Sequence, residues 1–358
     1  MRDGDEERVL SESFKSILQN GIDAGVPGVS AAIATSKGII IWRDSAGFAA
    51  LEKTTLINDS TIFGIGSITK VFVAVIILQL IDGSQLNVSD KISEHLDQND
   101  LDGIGNANDA TIGRLLSHTA GVESWGEDPN WIMEARGKKL DPKTIWGKKD
   151  ALNHSAESET RRRILDPLNL MDTFLEGFEE VGLRKKNIPH RYHYSTDTFR
   201  NTAGVCPAFS EYIWMRQDLI NATESNLSVE WAAGGMISST CDLLKFAISL
   251  RDGKLLSPSS MHLLTMWQLA RKSTEIGHGI FRFEHPTTHK NWLGHNGSVL
   301  GFTGSLWWNE ELDCAVCVLA NVGTMHAGKV SSSAPQIVFE SEFLEIAMKL
   351  TNIAVKDE

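Results

Sequence analysis

The segment FGIGSITKVFVAVIILQLIDG, residues 63–83, raises the question on which the interpretation of this chain depends. A short polar opening runs directly into a strongly apolar stretch, which predicts a helix built for burial. Ser67 and Lys70 are three residues apart, so their side chains project from the same face of the first turn. Burial lowers the pKa of a lysine, and a neutral amine can take the proton of a neighbouring hydroxyl. The spacing is therefore compatible with a lysine-activated serine nucleophile, although a serine at this place is more often a helix cap.

The composition restricts the kind of partner. The 358 residues include 46 acidic and 34 basic side chains, which gives a formal net charge of −12. This excess of negative charge disfavours nucleic acid and anionic membrane surfaces as partners. No stretch has the roughly 18–20 consecutive apolar residues that span a bilayer, and the first residues lack an apolar signal core. We therefore expect a cytoplasmic protein without a membrane span.

The four cysteines raise the question of a metal or redox site. Cys314 and Cys317 form a C-x-x-C pair, but they lie in LDCAVCVLANV (312–322), which has the character of a buried strand. No second cysteine pair and no nearby histidine cluster completes a zinc site. The sequence therefore predicts neither a metal nor a cofactor.

Predicted strands lie towards both ends of the chain, with helices and loops between them. Residues 5–25 have apolar side chains at helical spacing, and residues 27–49 have the pattern of two strands around an SKG turn. Three further strands are predicted after residue 276, and the intervening stretch has mainly helical and loop character. This order predicts an α+β fold, with an antiparallel sheet built from both termini, flanked by helices, and an inserted, mainly helical lobe.

The same order predicts how the chain is divided. Residues 1–84 and 266–358 are assigned to the sheet lobe and residues 85–265 to the helical lobe, and together they form one domain. A cleft between the lobes is the expected ligand site. Three tryptophans in the helical lobe predict that this cleft is broad and apolar: Trp125, Trp131 and Trp146.

Five segments occur in an order that resembles the landmarks of a known family. FGIGSITK (63–70) resembles its nucleophile segment, TIGRLLSHTAGV (111–122) its T-I-x-x-L-L-x-H-T-S-G segment, and RRRILDPLNLMDT (161–173) its R-x-x-I-x-x-P-L-G-M-x-x-T segment. AAGGMISSTCDL (232–243) resembles A-G-G-x-x-S-T-x-x-D-L, and GHNGSVLGF (294–302) resembles G-H-x-G-x-x-P-G-F. The chain is thus similar to serine β-lactamases and penicillin-binding-protein-like proteins, in the branch of class C β-lactamases, esterases and D-aminopeptidases.

This resemblance implies a β-lactamase/transpeptidase-like fold and a serine hydrolase of the esterase or amidase type. The substrate of such a hydrolase would be a small-molecule ester, amide or lactone. Its acyl group would form an acyl-enzyme on Ser67, and Lys70 would relay the proton. The backbone N–H groups of Ser67 and Ser298 would form the oxyanion hole. The HNG segment would bind substrate through His295, Asn296 and Gly297. His295 replaces the lysine of the β-lactamase K-T-G motif, which favours an esterase, amidase or peptidase over a dedicated β-lactamase.

One catalytic group that the resemblance implies is missing. The family carries a tyrosine in a Y-x-N motif, well before the segment that 161–173 matches. All three tyrosines of this chain follow that segment: Tyr192, Tyr194 and Tyr212. The interval before it is too short for the tyrosine loop and the helix that follows it, so the helical lobe is expected to be truncated near residues 147–161.

Two residues are candidates for a substitute base. Tyr194 begins a Y-S-T sequence, and His154 lies nearer the expected place in the order, but the simplest expectation is that neither reaches Ser67. His118, in SHTAG, is interpreted as a structural residue. Two functions therefore stay open: a serine hydrolase or acyltransferase slowed by loss of the tyrosine, and a catalytically inactive member with a binding or scaffold role. The oligomeric state is not predicted.

Overall fold

The computed structural model describes residues 2–146, 157–179, 182–271, 273–309 and 311–356. The strands are β1 (Gly28–Ala34), β2 (Ile40–Ala50), β3 (Thr55–Leu56), β4 (Phe63–Gly64), β5 (Phe174–Leu175), β6 (Tyr192–Tyr194), β7 (Ser210–Trp214), β8 (Gln217–Asn221), β9 (Met236–Ser238), β10 (Gln268–Arg271), β11 (Thr274–Ile276), β12 (Phe281–Glu284), β13 (Asn291–Val299), β14 (Phe302–Asn309), β15 (Ala315–Ala320) and β16 (Val322–Gly323). The α-helices are α1 (Arg2–Asp23), α2 (Thr69–Asp82), α3 (Gln98–Leu101), α4 (Ile112–Leu116), α5 (Pro129–Ala135), α6 (Asp197–Thr202), α7 (Trp231–Gly234), α8 (Thr240–Arg251), α9 (Pro258–Leu264), α10 (Ala334–Phe339) and α11 (Phe343–Lys356).

A nine-stranded sheet joins the two ends of the chain. Its strand order is β10-β11-β12-β13-β14-β15-β1-β2-β3, and each neighbouring pair is antiparallel. The central strands β1, β14 and β15 are buried along their whole length because helices cover both faces of the sheet. The predicted α+β fold, with an antiparallel sheet flanked by helices, is confirmed.

Each face of the sheet has its own hydrophobic core. On one face, Phe14 of α1 packs against Phe343 of α11, with ring centroids 5.0 Å apart. On the other face, the rings of Phe72 in α2 and Phe246 in α8 are stacked 3.8 Å apart. The second core fixes α2, and with it the residues at its amino-terminal end, against the sheet.

The stretch between residues 85 and 265 has more strands than its sequence predicts. It contributes β5 to β9, and β7 and β8 form a hairpin in which Trp214 pairs with Gln217. The two turn residues, Met215 and Arg216, have φ values of 45° and 64°. Such turns normally carry Asn and Gly, so the usual sequence signal of this hairpin is absent.

The division into a sheet lobe and a helical lobe stays a prediction. All nine strands of the large sheet lie within residues 1–84 and 266–358. However, α8, which belongs to the segment assigned to the helical lobe, packs on β1 and β15 of the sheet. Within the described part of the chain, no helix combines the length and apolar character needed to cross a membrane.

Candidate active site

A short 3₁₀ turn, Gly66–Ile68, carries Ser67 and leads directly into α2. Two glycines let this turn approach β13 closely. A Cβ atom on Gly66, whose φ is +53°, would lie 2.6 Å from the amide nitrogen of Ser298. A Cβ atom on Gly297 would lie 1.9 Å from the Ile65 carbonyl oxygen and 3.1 Å from the Ser67 nitrogen. Because neither glycine has a side chain, the backbone N–H groups of Ser67 and Ser298 can lie close together.

Lys70 lies one turn after Ser67 and contacts it. Its Nζ atom is 3.1 Å from Ser67 Oγ and donates a 2.6 Å hydrogen bond to the Ala233 carbonyl oxygen. Burial lowers the pKa of the Lys70 amine; the Glu230 carboxylate opposes this shift and the Arg136 guanidinium reinforces it. An amine held in this way is more readily neutral than an exposed lysine, which suits it to accept the Ser67 proton.

A buried ion pair, which the sequence analysis did not identify, stands beside Lys70. Arg136 donates from Nε and Nη2 to the same oxygen of Glu230, and the two side chains are only 2% and 6% exposed. Arg136 Nη1 also lies 2.8 Å from His326 Nε2, and the guanidinium stacks over Trp131 at 4.6 Å. The only feature of the sequence that points to Glu230 is its position immediately before the WAAGG segment. Nothing near Arg136 in the sequence marks it.

His295 lies on the sheet face that carries α2. It is buried on β13, its Nδ1 atom is hydrogen-bonded to the Asn296 carbonyl oxygen, and its ring lies 4.9 Å from that of Phe281. Burial lowers the pKa of His295 to about 4, and the charges of Lys70 and His118 contribute. The imidazole is therefore neutral at pH 7 and offers no cation to a substrate carboxylate.

The next residue of the HNG segment points the other way. The side-chain oxygen of Asn296 accepts hydrogen bonds from Ser305 Oγ at 2.8 Å and Trp307 Nε1 at 3.0 Å. Because side chains alternate along a strand, Asn296 lies on the face opposite His295 and Gly297. The structure thus brings Ser67, Lys70, Gly297 and Ser298 together and separates the Asn296 side chain from them. His295 lines neither cavity next to Ser67, and the charge of Lys70 is its link to the site.

Of the two candidate substitute bases, Tyr194 is described by the structure and lies away from Ser67. Tyr194 is fully buried in the core on the α1 face of the sheet, and its hydroxyl donates a 3.0 Å hydrogen bond to the Ser332 carbonyl oxygen. Burial raises its pKa, as expected for a core tyrosine. His154 lies outside the described residues.

Two cavities adjoin the nucleophile. The nucleophile cavity, of about 350 Å³, is lined by Ser67, Lys70 and Ser298 among others. The apolar chamber, of about 920 Å³, is lined by all three tryptophans that the sequence singled out: Trp125, Trp131 and Trp146. No tyrosine of the described ranges lines either cavity, whereas His118, interpreted from the sequence as structural, lines both. Desolvation and the charge of Lys70 lower the pKa of His118.

The groups able to bind a metal do not line the nucleophile cavity, although one of them, His95, lines the apolar chamber. Among the residues that the structure describes, Asp90, Glu94 and His95 bring ligand atoms within 4.8 Å of one another. Asp90 and Glu94 are partly to fully exposed, and such acidic groups commonly occur without a metal. Cys314 and Cys317 are fully buried at β15, and burial raises the pKa of Cys314 to about 12, so both behave as core residues.

Comparisons with known structures agree with this architecture. The D-amino acid amidase of Ochrobactrum anthropi SV3, complexed with D-phenylalanine, superposes with a TM-score of 0.71 at 20% identity, covering 98% of this chain and 100% of that one. The octameric penicillin-binding protein homologue of Pyrococcus abyssi gives a TM-score of 0.68 at 18% identity, covering 94% and 77%. At this level of identity the likeness shows the β-lactamase/transpeptidase-like fold.

Sequence comparisons cover nearly the whole chain. Protein flp of Staphylococcus aureus (strain NCTC 8325 / PS 47) is 22% identical over an alignment of 355 residues that covers 95% of this chain and 69% of that protein. The model of the family described as Beta-lactamase matches residues 14–146 and 149–331. Because that match extends over most of the sequence, this chain belongs to the Beta-lactamase family.

Proposed function

We propose that this chain is a serine hydrolase that cleaves an ester, amide or lactone through an acyl-Ser67 intermediate. The observation that carries the proposal is the 3.1 Å separation of Lys70 Nζ and Ser67 Oγ, at a lysine whose pKa is lowered by burial. A nucleophile and its base within hydrogen-bond reach are the minimum that acyl transfer requires. The family membership and the fold of the amidase neighbours support the same chemistry.

In the first half-reaction, neutral Lys70 takes the Ser67 proton as Oγ bonds to the acyl carbon. The carbonyl oxygen becomes an oxyanion, which accepts hydrogen bonds from the amides of Ser67 and Ser298; each such donor is typically worth ~2.7–4 kcal/mol. The tetrahedral species then expels the alcohol or amine, which takes the proton from Lys70. Water repeats the attack on the acyl-enzyme, releases the acid and restores the Ser67 hydroxyl.

The missing tyrosine affects the leaving group most. Lys70 then has to deprotonate the nucleophile and protonate the leaving group itself, because no tyrosine of the described residues lines the two cavities. Positioned acid–base groups contribute about 10²–10⁴-fold each. An amine has to be protonated before it leaves, whereas a phenolate leaves without a proton. We therefore propose that activated esters react faster than amides and that turnover is slow.

The test is the intact mass of the protein after incubation with a fluorophosphonate and with a p-nitrophenyl ester. Ser67→Ala serves as the control. We expect one adduct per chain, absent from Ser67→Ala, and release of p-nitrophenol. Adduct without turnover would place the defect in deacylation. A folded protein that gives no adduct and no p-nitrophenol would overturn the proposal.

The second candidate is a catalytically inactive member with a binding role. One observation favours it: no described tyrosine lines the cavities next to Ser67. Under this alternative, Ser67 and Lys70 are remnants, and both the wild type and Ser67→Ala give the same background rate. The same mass experiment therefore separates the two candidates. Transfer of the acyl group to an added alcohol instead of water would identify an acyltransferase.

A further inference from the structure

The apolar chamber begins at the catalytic lysine and follows one face of α2. Lys70, Val73, Ala74 and Ile77 all line it. Their spacing of three, four and seven residues places them on a single stripe of the helix. The chamber therefore extends from the lysine amine for about two turns of helix, away from the oxyanion donors.

The opposite walls of the chamber are also apolar. Ile112, Leu115 and Leu116 of α4 line it, as do the tryptophans named above. Its volume of about 920 Å³ lies at the upper end of the ~300–1,000 Å³ that small-molecule sites occupy. Walls of this kind favour an apolar occupant because apolar surface is costly to leave in water.

The chamber and the nucleophile cavity are adjacent. Six residues line both of them: Lys70, Leu115, His118, Trp125, Glu230 and Ala233. A group attached to Ser67 that extends past Lys70 would enter the chamber. Lys70, His118 and Glu230 are the polar residues that line both cavities, and aliphatic side chains line the α2 side of the chamber beyond Lys70. His95 and Ser228 are further polar residues of the chamber wall.

We propose that the chamber binds the acyl group of the substrate, and that this group is a medium or long aliphatic chain. The inference rests on the proposed acyl-Ser67 chemistry. The acyl group stays attached through both half-reactions, while the alcohol must leave and water must enter. The large apolar chamber suits the part that stays, and the smaller cavity, lined by the more polar Ser124, Arg136 and Ser298, suits the leaving group.

The first test is the dependence of kcat/KM on acyl length for p-nitrophenyl esters from acetate to dodecanoate. Each methylene that enters the chamber is expected to raise kcat/KM about fourfold until the chamber is full, the factor that corresponds to ~0.8 kcal/mol. Acetate esters of alcohols of increasing length are the matched series, and they should show no such rise. A rise in the alcohol series alone would overturn the assignment to the acyl group.

Two tryptophan substitutions on α2 test whether the dependence of kcat/KM on acyl length arises in the chamber. Ile77→Trp adds a large ring inside the chamber and should lower the ratio of kcat/KM for octanoate to that for acetate at least tenfold. Leu80→Trp places the same side chain on the same helix, at a half-buried position that lines neither cavity. It should leave both activities unchanged. Equal ratios in the wild type and Ile77→Trp would contradict the proposal.

A binding measurement keeps the inference testable without turnover. Ser67→Ala is titrated with sodium dodecanoate and with butyrate, and the fluorescence of the chamber tryptophans is followed. Dodecanoate should bind at least tenfold more tightly, and Ile77→Trp should abolish the difference. Dodecanoate binding without ester turnover would defeat the proposed function alone. Ester turnover independent of acyl length, with equal binding of the two acids, would defeat the acyl chamber alone.

Discussion

At the scale of single residues, the chemistry depends on the protonation state of Lys70. Its pKa is lowered in the folded chain, chiefly by burial, from the ordinary value of 10.5. The unfolded chain therefore binds more protons between the two pKa values. Between these two pKa values the free energy of unfolding rises with pH. Over the same range the neutral Lys70 amine, which accepts the Ser67 proton, becomes populated. The charged or titratable groups near it are Glu230, Arg136, His118 and His295.

We predict that the rate of Ser67 labelling by a fluorophosphonate rises with pH and levels off with a midpoint below 10.5. This rising limb of the pH profile does not come from His118 or His295, because the pKa values of both are lowered and that of His295 is about 4. Lys70→Arg stays charged and should remove the limb. A midpoint at or above 10.5 in the wild type, or the same limb in Lys70→Arg, would contradict the assignment of Lys70.

At the scale of elements, the β7–β8 hairpin is made with unfavourable turn residues. A left-handed conformation costs an ordinary residue roughly 1–2 kcal/mol, and both Met215 and Arg216 adopt it. The pairing of β8 with β6 and β7 offsets this cost. The chain therefore retains a hairpin that local sequence disfavours because its strands are held by the neighbouring structure.

We predict that Met215→Asn combined with Arg216→Gly raises the free energy of unfolding by about 1 kcal/mol, because these residues prefer the turn that the structure requires. Equilibrium denaturation with urea measures the change. Met266→Asn, at an exposed position without a positive φ, is the control and should be neutral or slightly destabilising. Destabilisation by the double substitution would show that the wild-type turn residues make contacts that outweigh their strain.

At the scale of the whole molecule, the Arg136–Glu230 pair joins segments 94 residues apart beside the nucleophile. Two buried charges cost several kcal/mol each to desolvate, and mutual pairing compensates for that cost. Trp131 and His326 complete the surroundings of the guanidinium. The pair therefore ties the α5 region to the segment that provides the Ala233 carbonyl for Lys70.

We predict that Arg136→Met destabilises the protein by about 3–5 kcal/mol, because it leaves the Glu230 carboxylate buried without its partner. Adding Glu230→Gln to Arg136→Met should recover most of the loss, since neither residue of the pair is then charged. The free energy of unfolding of the two variants, measured at pH 7, decides this. A double variant as unstable as the single one would mean that Arg136 acts through packing on Trp131 rather than through charge.

Local features of this protein were determined by the sequence itself. The spacing of Ser67 and Lys70 places both side chains on one helical face, and the structure puts their atoms 3.1 Å apart. Helix α1, the β1–β2 pair and the buried strand around Cys317 follow in the same way from periodicity. These features depend on residues that are close in sequence, so pattern and propensity suffice to predict them.

Only the tertiary structure decided what surrounds the nucleophile. The Arg136–Glu230 pair, the opposite orientation of Asn296, the burial of Tyr194 and the apolar chamber all arise where distant segments pack together. The chamber alone combines side chains of α2, α4, the tryptophan segment and residues 228–233. Such contacts depend on how separate elements pack against one another. Core packing across the sheet determines that arrangement, and residue spacing along the chain does not.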